Sequence, residues 1–292
     1  FTSVPRLLEK VYGKLEAAGQ NLTGWKKGLY ANAMEFARNY SLETEYGFMD
    51  KLKYKLYDTL IYSKWREALG GECAGICTGA AALNPLLARV FTAAGIPIVE
   101  GYGQTETSPV ISVAPFDLER IKFGTVGTVI EKVEVKLDHR DGMAEGEGEI
   151  WVKGPNVMMG YYKRPDITAE TIVDGWLKTG DVGKFVDYKG SKYLKITDRV
   201  KELFKTSGGK YIAPQQIENK MKEIPFIEQI MVVGEGKNFV SALIVPNYLT
   251  LSEWATKNNV AANSHEELAK NKDVQKLFEQ AIAEKNKNFG QW

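Results

Sequence analysis

Between residues 5 and 70, apolar positions recur at helical spacing. Leu7, Leu8, Val11, Tyr12 and Leu15 follow Pro5, a residue able to open a helix, and the pattern stops at Gly19. Leu29, Ala33, Phe36 and Tyr40 repeat it over Trp25 to Tyr40, and Leu52, Leu56, Leu60 and Ile61 repeat it over Phe48 to Leu69. Basic residues fill the other faces. That reads as solvated helix surface over a core in preference to a membrane helix.

The texture changes at Gly70. Glu72–Thr78 predicts a short buried strand, and the run from Gly79 to Ala82 a small-residue turn. Asn84 before Pro85 is an N-cap followed by proline at the first helical position. That helix carries Leu86, Leu87, Val90 and Phe91 to Gly95, and Ile96–Val99 predicts the next strand. Strand, helix, strand is a βαβ unit, so these strands are expected to be parallel and buried.

From about 108 to 195 the pattern becomes short strands between turns, among them Val133–Asp138, Glu149–Val152 and Lys192–Ile196. Asp141-Gly142 and the run Glu145 to Gly148 read as turns. A partly barrel-like β subdomain is expected. Beyond 198 the pattern is α+β. Lys201–Lys205 and Tyr211–Ile212 flank Ser207-Gly208-Gly209, Pro214 opens a helix, and Ile227–Gly234 with Phe239–Val245 form a hairpin. Leu249 to Phe289 reads as mostly helical.

Composition narrows the function classes. A length of 292 residues predicts about two domains. The 38 basic residues against 37 acidic ones demand neither nucleic acid nor an anionic membrane as partner. No apolar run reaches the ~18 residues that span a bilayer. Cys73 and Cys77 are too few for a disulfide framework, which predicts reduced thiols and a cytosolic setting. With only His139 and His265 as histidines, a Ser-His-Asp or Cys-His machine is improbable, and no metal-ligand cluster is visible. The chain opens at Phe1 without an initiator Met or a signal peptide, which reads as a fragment.

Chemistry concentrates in three places. The stretch from Gly101 to Ser108 follows a predicted strand, where open α/β sheets form their ligand crevice. It offers two glycines for close approach, the Tyr102 ring for a base, the Thr105 hydroxyl for a phosphate, and Glu106 as a hard oxygen ligand for Mg²⁺. An ordinary polar turn has the same composition. The loop from Thr78 to Ala81 lies at the same end of the sheet, where small residues form either a wall for a flat ring or simple crossover packing. Asp181, after Gly180, suits two vicinal ribose hydroxyls and reads equally as a turn cap. Asp198-Arg199 reads equally as a strand-end ion pair. Neither a dinucleotide fingerprint nor a Walker loop is present.

Together these segments resemble the AMP-forming acyl-CoA synthetases, the adenylate-forming ligases, and among them the long-chain fatty acid–CoA ligases. The matching stretches are GYGQTETSP at 101–109, GEIWVKGPNVMMGYYKRPDIT at 148–168, GWLKTGD at 175–181 and ITDRVKELFKTSGGKYIAPQQIE at 196–218. VPRLLEKVY at 4–12 and CTGAAALNP at 77–85 fit the long-chain branch. The resemblance implies an α/β fold. Residues 1–197 would be the rear of a large adenylate-binding domain, with βαβ layers and a β-barrel-like subdomain. Residues 198–292 would be a smaller, incomplete and mobile α+β C-terminal domain.

The implied chemistry has two steps. A fatty carboxylate attacks the α-phosphate of ATP, giving acyl-AMP and pyrophosphate, and the CoA thiol then displaces AMP. By resemblance Tyr102 stacks on adenine, with Gly103 beside it, and Gly79, Ala80 and Ala81 line the adenine and acyl pocket. Thr105 contacts the α-phosphate and Glu106 holds Mg²⁺. Asp181 and Arg199 bind the ribose, Asp198 is the hinge, and Lys205, Gly208 and Gly209 help form the CoA channel. Fatty acid, ATP and CoA are the implied partners, with peripheral contact at a membrane left open and nucleic acid not expected. The family's phosphate loop and catalytic Lys match nothing here, so the isolated fragment is expected to be inactive. An adenylating ligase for another carboxylate, or a non-catalytic nucleotide-binding module, stays open at this stage.

Overall fold

The computed structural model describes residues 1–140, 143–261, 264–287 and 289. The turn expected at Asp141-Gly142 lies outside them. Two compact units separate. The first takes in residues 1–138, 146–179 and 183–196, and the second residues 139–145, 180–182 and 197–292.

The first unit begins with β1 (Thr2–Ser3), followed by helices α1 (Pro5–Gln20), α2 (Gly24–Arg38) and α3 (Phe48–Tyr57). A π-helical turn, Asp58–Tyr62, joins α3 to α4 (Ser63–Ala68). The 3–4 spacing does what it predicts. Ala33, Met34, Ala37, Tyr62 and Trp65 meet Val90 and Ala93 in one buried cluster. The Tyr62 hydroxyl is satisfied inside it by donating to the Ala33 carbonyl at 2.7 Å, as burial of a phenol requires.

The βαβ unit is present. β2 (Ile76–Thr78), α5 (Pro85–Ala93) and β3 (Ile98–Gly103) follow in order, and β2 pairs with β3 in parallel. Asn84 caps α5 by accepting from Leu86 N–H at 2.9 Å, and Gly95 ends it at φ 79°, where a side chain is disfavoured. Leu87 and Phe91 bury against Ile76, Ile96 and Ile98. Each such side chain contributes about 1.5–3 kcal/mol relative to exposure. Antiparallel β4 (Val110–Val113) and β5 (Thr128–Val129) complete a mixed sheet of order β1-β2-β3-β4-β5.

A second sheet contains β6 (Glu134–Asp138), β7 (Gly148–Lys153), β9 (Trp176–Tyr188) and β10 (Ser191–Arg199). A short helix α6 (Pro165–Thr171) and strand β8 (Ile172–Val173) precede β9. The expected barrel-like closure is not found. The order is β10-β9-β7-β6, with β8 attached to β9 alone, and among the described residues nothing pairs β10 with β6. Closing a sheet needs consistent tilt and stagger around the ring, with about eight strands for a side-chain-filled interior. This one stays open, and on one face Ile150, Val152 and Leu194 pack with Ile111. The other face holds the Lys136 ammonium 4.6 Å from the Trp151 ring and 4.5 Å from the Trp176 ring.

The second unit holds hairpin β11 (Phe204–Lys205) and β12 (Tyr211–Ile212), helix α7 (Pro214–Met221), and hairpin β13 (Ile227–Val233) and β14 (Ser241–Pro246). Helices α8 (Tyr248–Lys257), α9 (His265–Lys270) and α10 (Lys272–Asn286) follow. Ile212, Ile217, Met221, Ile230 and Val232 form its core. Leu251, Ala255, Leu268 and Val274 form a second cluster among the last helices. Asn247, Ser264 and Asn271 each accept from a backbone N–H at the head of a helix. Cys73 and Cys77 are free thiols. Among the described residues no helix is long and apolar enough to cross a membrane.

Candidate functional site

In the first unit the candidate residues gather where β2 and β3 end. β3 runs farther than Ile96–Val99, so Gly101, Tyr102 and Gly103 are strand residues and not a loop. Gly103 has a packing reason to be glycine, because a Cβ there would lie 1.6 Å from the Pro109 carbonyl oxygen. Tyr102 pairs with Ser112 and packs partly on the Ile111 cluster. Thr78 pairs with Glu100, and a Cβ on Gly79 would stand 3.1 Å from the Gly101 carbonyl oxygen. The Gly79–Ala81 loop therefore lies against β3. Ala80 has φ 68°, and Ala80 and Ala81 are exposed.

A single 3₁₀ turn, Thr105–Thr107, carries both proposed catalytic side chains. Gln104 N–H donates to Thr107 Oγ1 at 3.0 Å, and Thr107 N–H donates to the Gln104 carbonyl oxygen at 2.9 Å. Gln104 Nε2 donates to the Thr179 carbonyl at 2.8 Å and ties the turn to the 175–179 segment. Thr105 is exposed and Glu106 half-buried. Tyr161 Oη donates to Glu106 Oε1 at 2.8 Å, and Met158 N–H donates to the Glu106 carbonyl oxygen, also at 2.8 Å. Burial, and then the neighbouring carboxylate, push the Tyr161 phenol up, so it remains a donor.

Two residues of this region escaped the sequence reading. Tyr161 lies within the stretch 148–168, where composition alone does not mark it as a partner of Glu106. Glu100 precedes Gly101, and burial pushes its carboxyl up to about 8 against a weaker pull from the Leu83 backbone N–H. A lone acid beside apolar strand residues carries no signal that burial raises its carboxyl.

In the second unit Asp181 and Arg199 are together. Arg199 Nε lies 3.1 Å from Asp181 Oδ1, with the carboxylate 7% exposed and the guanidinium 59%. Asp181 sits within the long strand β9 and not in a turn, and Gly180 before it takes φ 73°. The alternative of an Asp198–Arg199 side-chain pair is replaced. Asp198 instead accepts backbone N–H groups from Arg199 at 2.6 Å and from Gln215 at 3.2 Å. Gln215 is the second residue of α7, so this fully buried carboxylate satisfies a helix N-terminus whose first residue is proline. Burial pushes Asp198 up to about 6.

Gly208 and Gly209 lie between β11 and β12, where Gly209 has φ 78°. Lys205 sits 4.3 Å over the Tyr211 ring. Ser207 N–H donates to the Lys237 carbonyl and Gly236 N–H to the Lys205 carbonyl, docking this loop on the next hairpin.

Among the described residues no three His, Cys, Asp or Glu side chains converge as a metal cage. Mg²⁺ needs no such cage, since one or two carboxylates plus substrate phosphates suffice. Glu106, a hard oxygen donor with no cationic partner among the described residues, fits that mode.

Comparison with known proteins gives a consistent picture. The family model described as AMP-binding enzyme matches residues 1–162, and that for the AMP-binding enzyme C-terminal domain matches residues 202–288. The chain is 35% identical over 289 residues to the long-chain-fatty-acid–CoA ligase FadD15 of Mycobacterium bovis, covering 97% of this chain and 46% of that protein. The adenylation domain of a carboxylate reductase from Mycobacterium chelonae superimposes with a TM-score of 0.66 at 21% identity, over 98% of this chain and 38% of that one. The o-succinylbenzoate CoA synthetase of Bacillus subtilis, solved with its acyl-adenylate intermediate, gives a TM-score of 0.53 at 26% identity, over 69% and 44%. The chain spans less than half the length of the curated relatives it matches.

Proposed function

We propose, on the premise that this chain belongs to the AMP-binding enzyme family, that the protein carrying it activates a long-chain fatty acid with ATP and transfers the acyl group to CoA. The observation that carries this reading is the 3₁₀ turn at Thr105–Thr107. It sets a hydroxyl and a carboxylate side by side beyond β3, the strand against which Gly79 lies. The likeness to a long-chain ligase supports the substrate class.

The chemistry balances without a side-chain nucleophile. A fatty carboxylate oxygen attacks the α-phosphorus of ATP, the bond to pyrophosphate breaks, and acyl-AMP forms. The CoA thiol then gives up its proton and attacks the acyl carbon, and AMP leaves. Both first-step reactants are anionic, so oriented donors and cations must offset their repulsion. Thr105 donates to the α-phosphate. Tyr102 offers its ring to adenine, with Gly103 beside it and Gly79, Ala80 and Ala81 as the wall. Asp181 and Arg199 take the ribose hydroxyls, one as acceptor and one as donor. Mg²⁺, when held by Glu106, neutralises phosphate charge.

For the second step the Asp198 hinge lets the domain of residues 198–292 turn, and the loop with Lys205, Gly208 and Gly209 lines the CoA channel. The test uses a protein that carries this sequence at the length of its curated relatives. With palmitate, ATP, Mg²⁺ and CoA, chromatography is expected to show AMP and pyrophosphate in equal amounts with palmitoyl-CoA. ADP and phosphate would reject the AMP-forming assignment. A strong preference for aryl or amino acids would replace the substrate class alone.

A further inference from the structure

The first unit holds a cavity of about 400 Å³ between α1, α2 and the π-helical turn with α4. None of the residues named above for adenylation lines it. Its wall includes Tyr30 and Trp65, whose ring centroids are 6.0 Å apart. Both polar handles are already committed. The Tyr30 hydroxyl donates to the Leu15 carbonyl at 2.7 Å, and the Trp65 side chain bonds to that same hydroxyl. The interior therefore offers a ligand apolar contact only.

The rim differs. Trp25 is 71% exposed and Leu60 41%, with Lys26 and Lys64 exposed beside them. The π-helical turn carries one residue more per turn than an α-helix allows. It leaves Leu60 at the surface while Ile61 is buried. No acidic residue lines the cavity. On the elements that flank the cavity, Glu16 pairs with Arg38 and Asp58 with Arg66, and Glu67 of α4 is exposed outside the lining. Among the described residues neither Lys26 nor Lys64 has an ion-pair partner. An apolar chamber with a cationic rim is complementary to one kind of molecule, an apolar chain ending in an anion.

We infer that this cavity binds a single-chain amphiphile with a carboxylate head, the chain inside against Leu29 and Trp65 and the head at the rim with Lys26 and Lys64. A volume of about 400 Å³ lies within the range of small-ligand sites. The site is separate from the adenylation residues and needs no ATP, so it does not rest on the proposed function.

The test is contact quenching of tryptophan fluorescence by a dibrominated stearate, below its critical micelle concentration and without nucleotide. Saturable quenching by one probe per chain, competed by palmitate, is expected, and Trp25→Phe removes part of the signal. The exposed-site variants Leu60→Glu and Lys26→Glu/Lys64→Glu are expected to leave the fold intact and to weaken the probe by about tenfold or more, the first by setting a carboxylate against the anionic head and the second by replacing two attracting charges with repelling ones. Hexadecanol competes equally well against wild type and the double variant. Absence of saturation, or unchanged affinity in both variants, overturns the inference. So does quenching that arises only from brominated phosphatidylglycerol vesicles and is not competed by palmitate, an outcome that would assign the patch to a membrane surface. Failure of adenylation in the longer protein would leave this readout untouched.

Discussion

The Tyr161 hydroxyl donates to Glu106 Oε1 across 2.8 Å and links the turn after β3 to the segment before α6. Tyr161 is itself held, its backbone N–H donating to Thr168 Oγ1 at 2.9 Å. The carboxylate thus has one oxygen fixed by a phenol and its backbone carbonyl fixed by Met158. A metal-binding carboxylate gains from this, since a partner that sets its orientation removes freedom otherwise lost on binding.

Tyr161→Phe in the longer protein is therefore expected to raise the Mg²⁺ concentration needed for half-maximal acyl-AMP formation by about tenfold, one hydrogen bond to a charged group. The thermal midpoint is expected to change little. Glu106→Gln is expected to slow acyl-AMP formation far more, at any Mg²⁺ concentration. A Tyr161→Phe enzyme with an unchanged Mg²⁺ requirement would remove the positioning role. Pre-steady-state measurement of acyl-AMP separates the two effects.

The glycines divide by the space around them. Gly103→Ala places a methyl 1.6 Å from a backbone oxygen, a clash only backbone movement relieves, so expression without a cooperative unfolding transition is expected. Around Gly208 the nearest atom to an added Cβ is Thr206 Oγ1 at 3.8 Å. Gly208→Ala is expected to fold with stability within about 0.5 kcal/mol of wild type. A defect in thioester formation from supplied acyl-AMP would then report on CoA and not on folding.

This contrast also marks what could be read from the chain. Helices α1, α2 and α5 follow from local spacing and from the Asn84-Pro85 start and occur close to their expected bounds, whereas the single helical stretch expected over Phe48 to Leu69 is divided by the π-helical turn into α3 and α4. Strand β9 was not anticipated, because Gly180 and Gly183 look like breakers. In the fold Gly180 supplies a positive φ, and Gly183 stands where a Cβ would meet the Lys195 carbonyl oxygen at 2.7 Å. Barrel closure was expected wrongly for a related reason. Whether β10 meets β6 depends on pairing across the whole sheet, which alternation within one strand does not encode. Thr105 and Glu106 were legible as a pair, while Tyr161 and the raised carboxyl of Glu100 depend on neighbours distant in sequence.

Two buried carboxyls give stability a pH dependence. A carboxyl that is harder to ionise when folded binds its proton more tightly in the native state. Its contribution is present below the unfolded value and lost as pH rises through the folded one. For Glu100 the window runs from the ordinary 4.5 to about 8, and for Asp198 from 3.8 to about 6. Urea midpoints are expected to fall across these ranges. Glu100→Gln is expected to flatten the fall between pH 6 and 8 and to leave the part below pH 6, which Asp198 shares. An unaltered slope above pH 6 in Glu100→Gln would show that another group titrates there.

Asp181 and Arg199 form an ion pair that is expected to matter more for ligand than for folding. Their contact is 3.1 Å, but the guanidinium is more than half exposed, so screening by water limits what the pair adds to folding. Exposed pairs contribute about 0–1 kcal/mol. Arg199→Ala is therefore expected to shift the urea midpoint little. Asp181→Asn keeps the shape and an acceptor oxygen while removing the charge, so it too is expected to fold. Ligand binding is expected to respond differently. If the carboxylate accepts from both ribose hydroxyls, Asp181→Asn loses a charge-assisted contact and weakens AMP by about tenfold or more. The 2′,3′-dideoxy analogue of AMP, which lacks both hydroxyls, is expected to bind wild type and Asp181→Asn alike. Calorimetric titration of the longer protein with both nucleotides reads this directly. An equal loss for AMP and its dideoxy analogue would mean that Asp181 shapes the strand and does not touch the sugar.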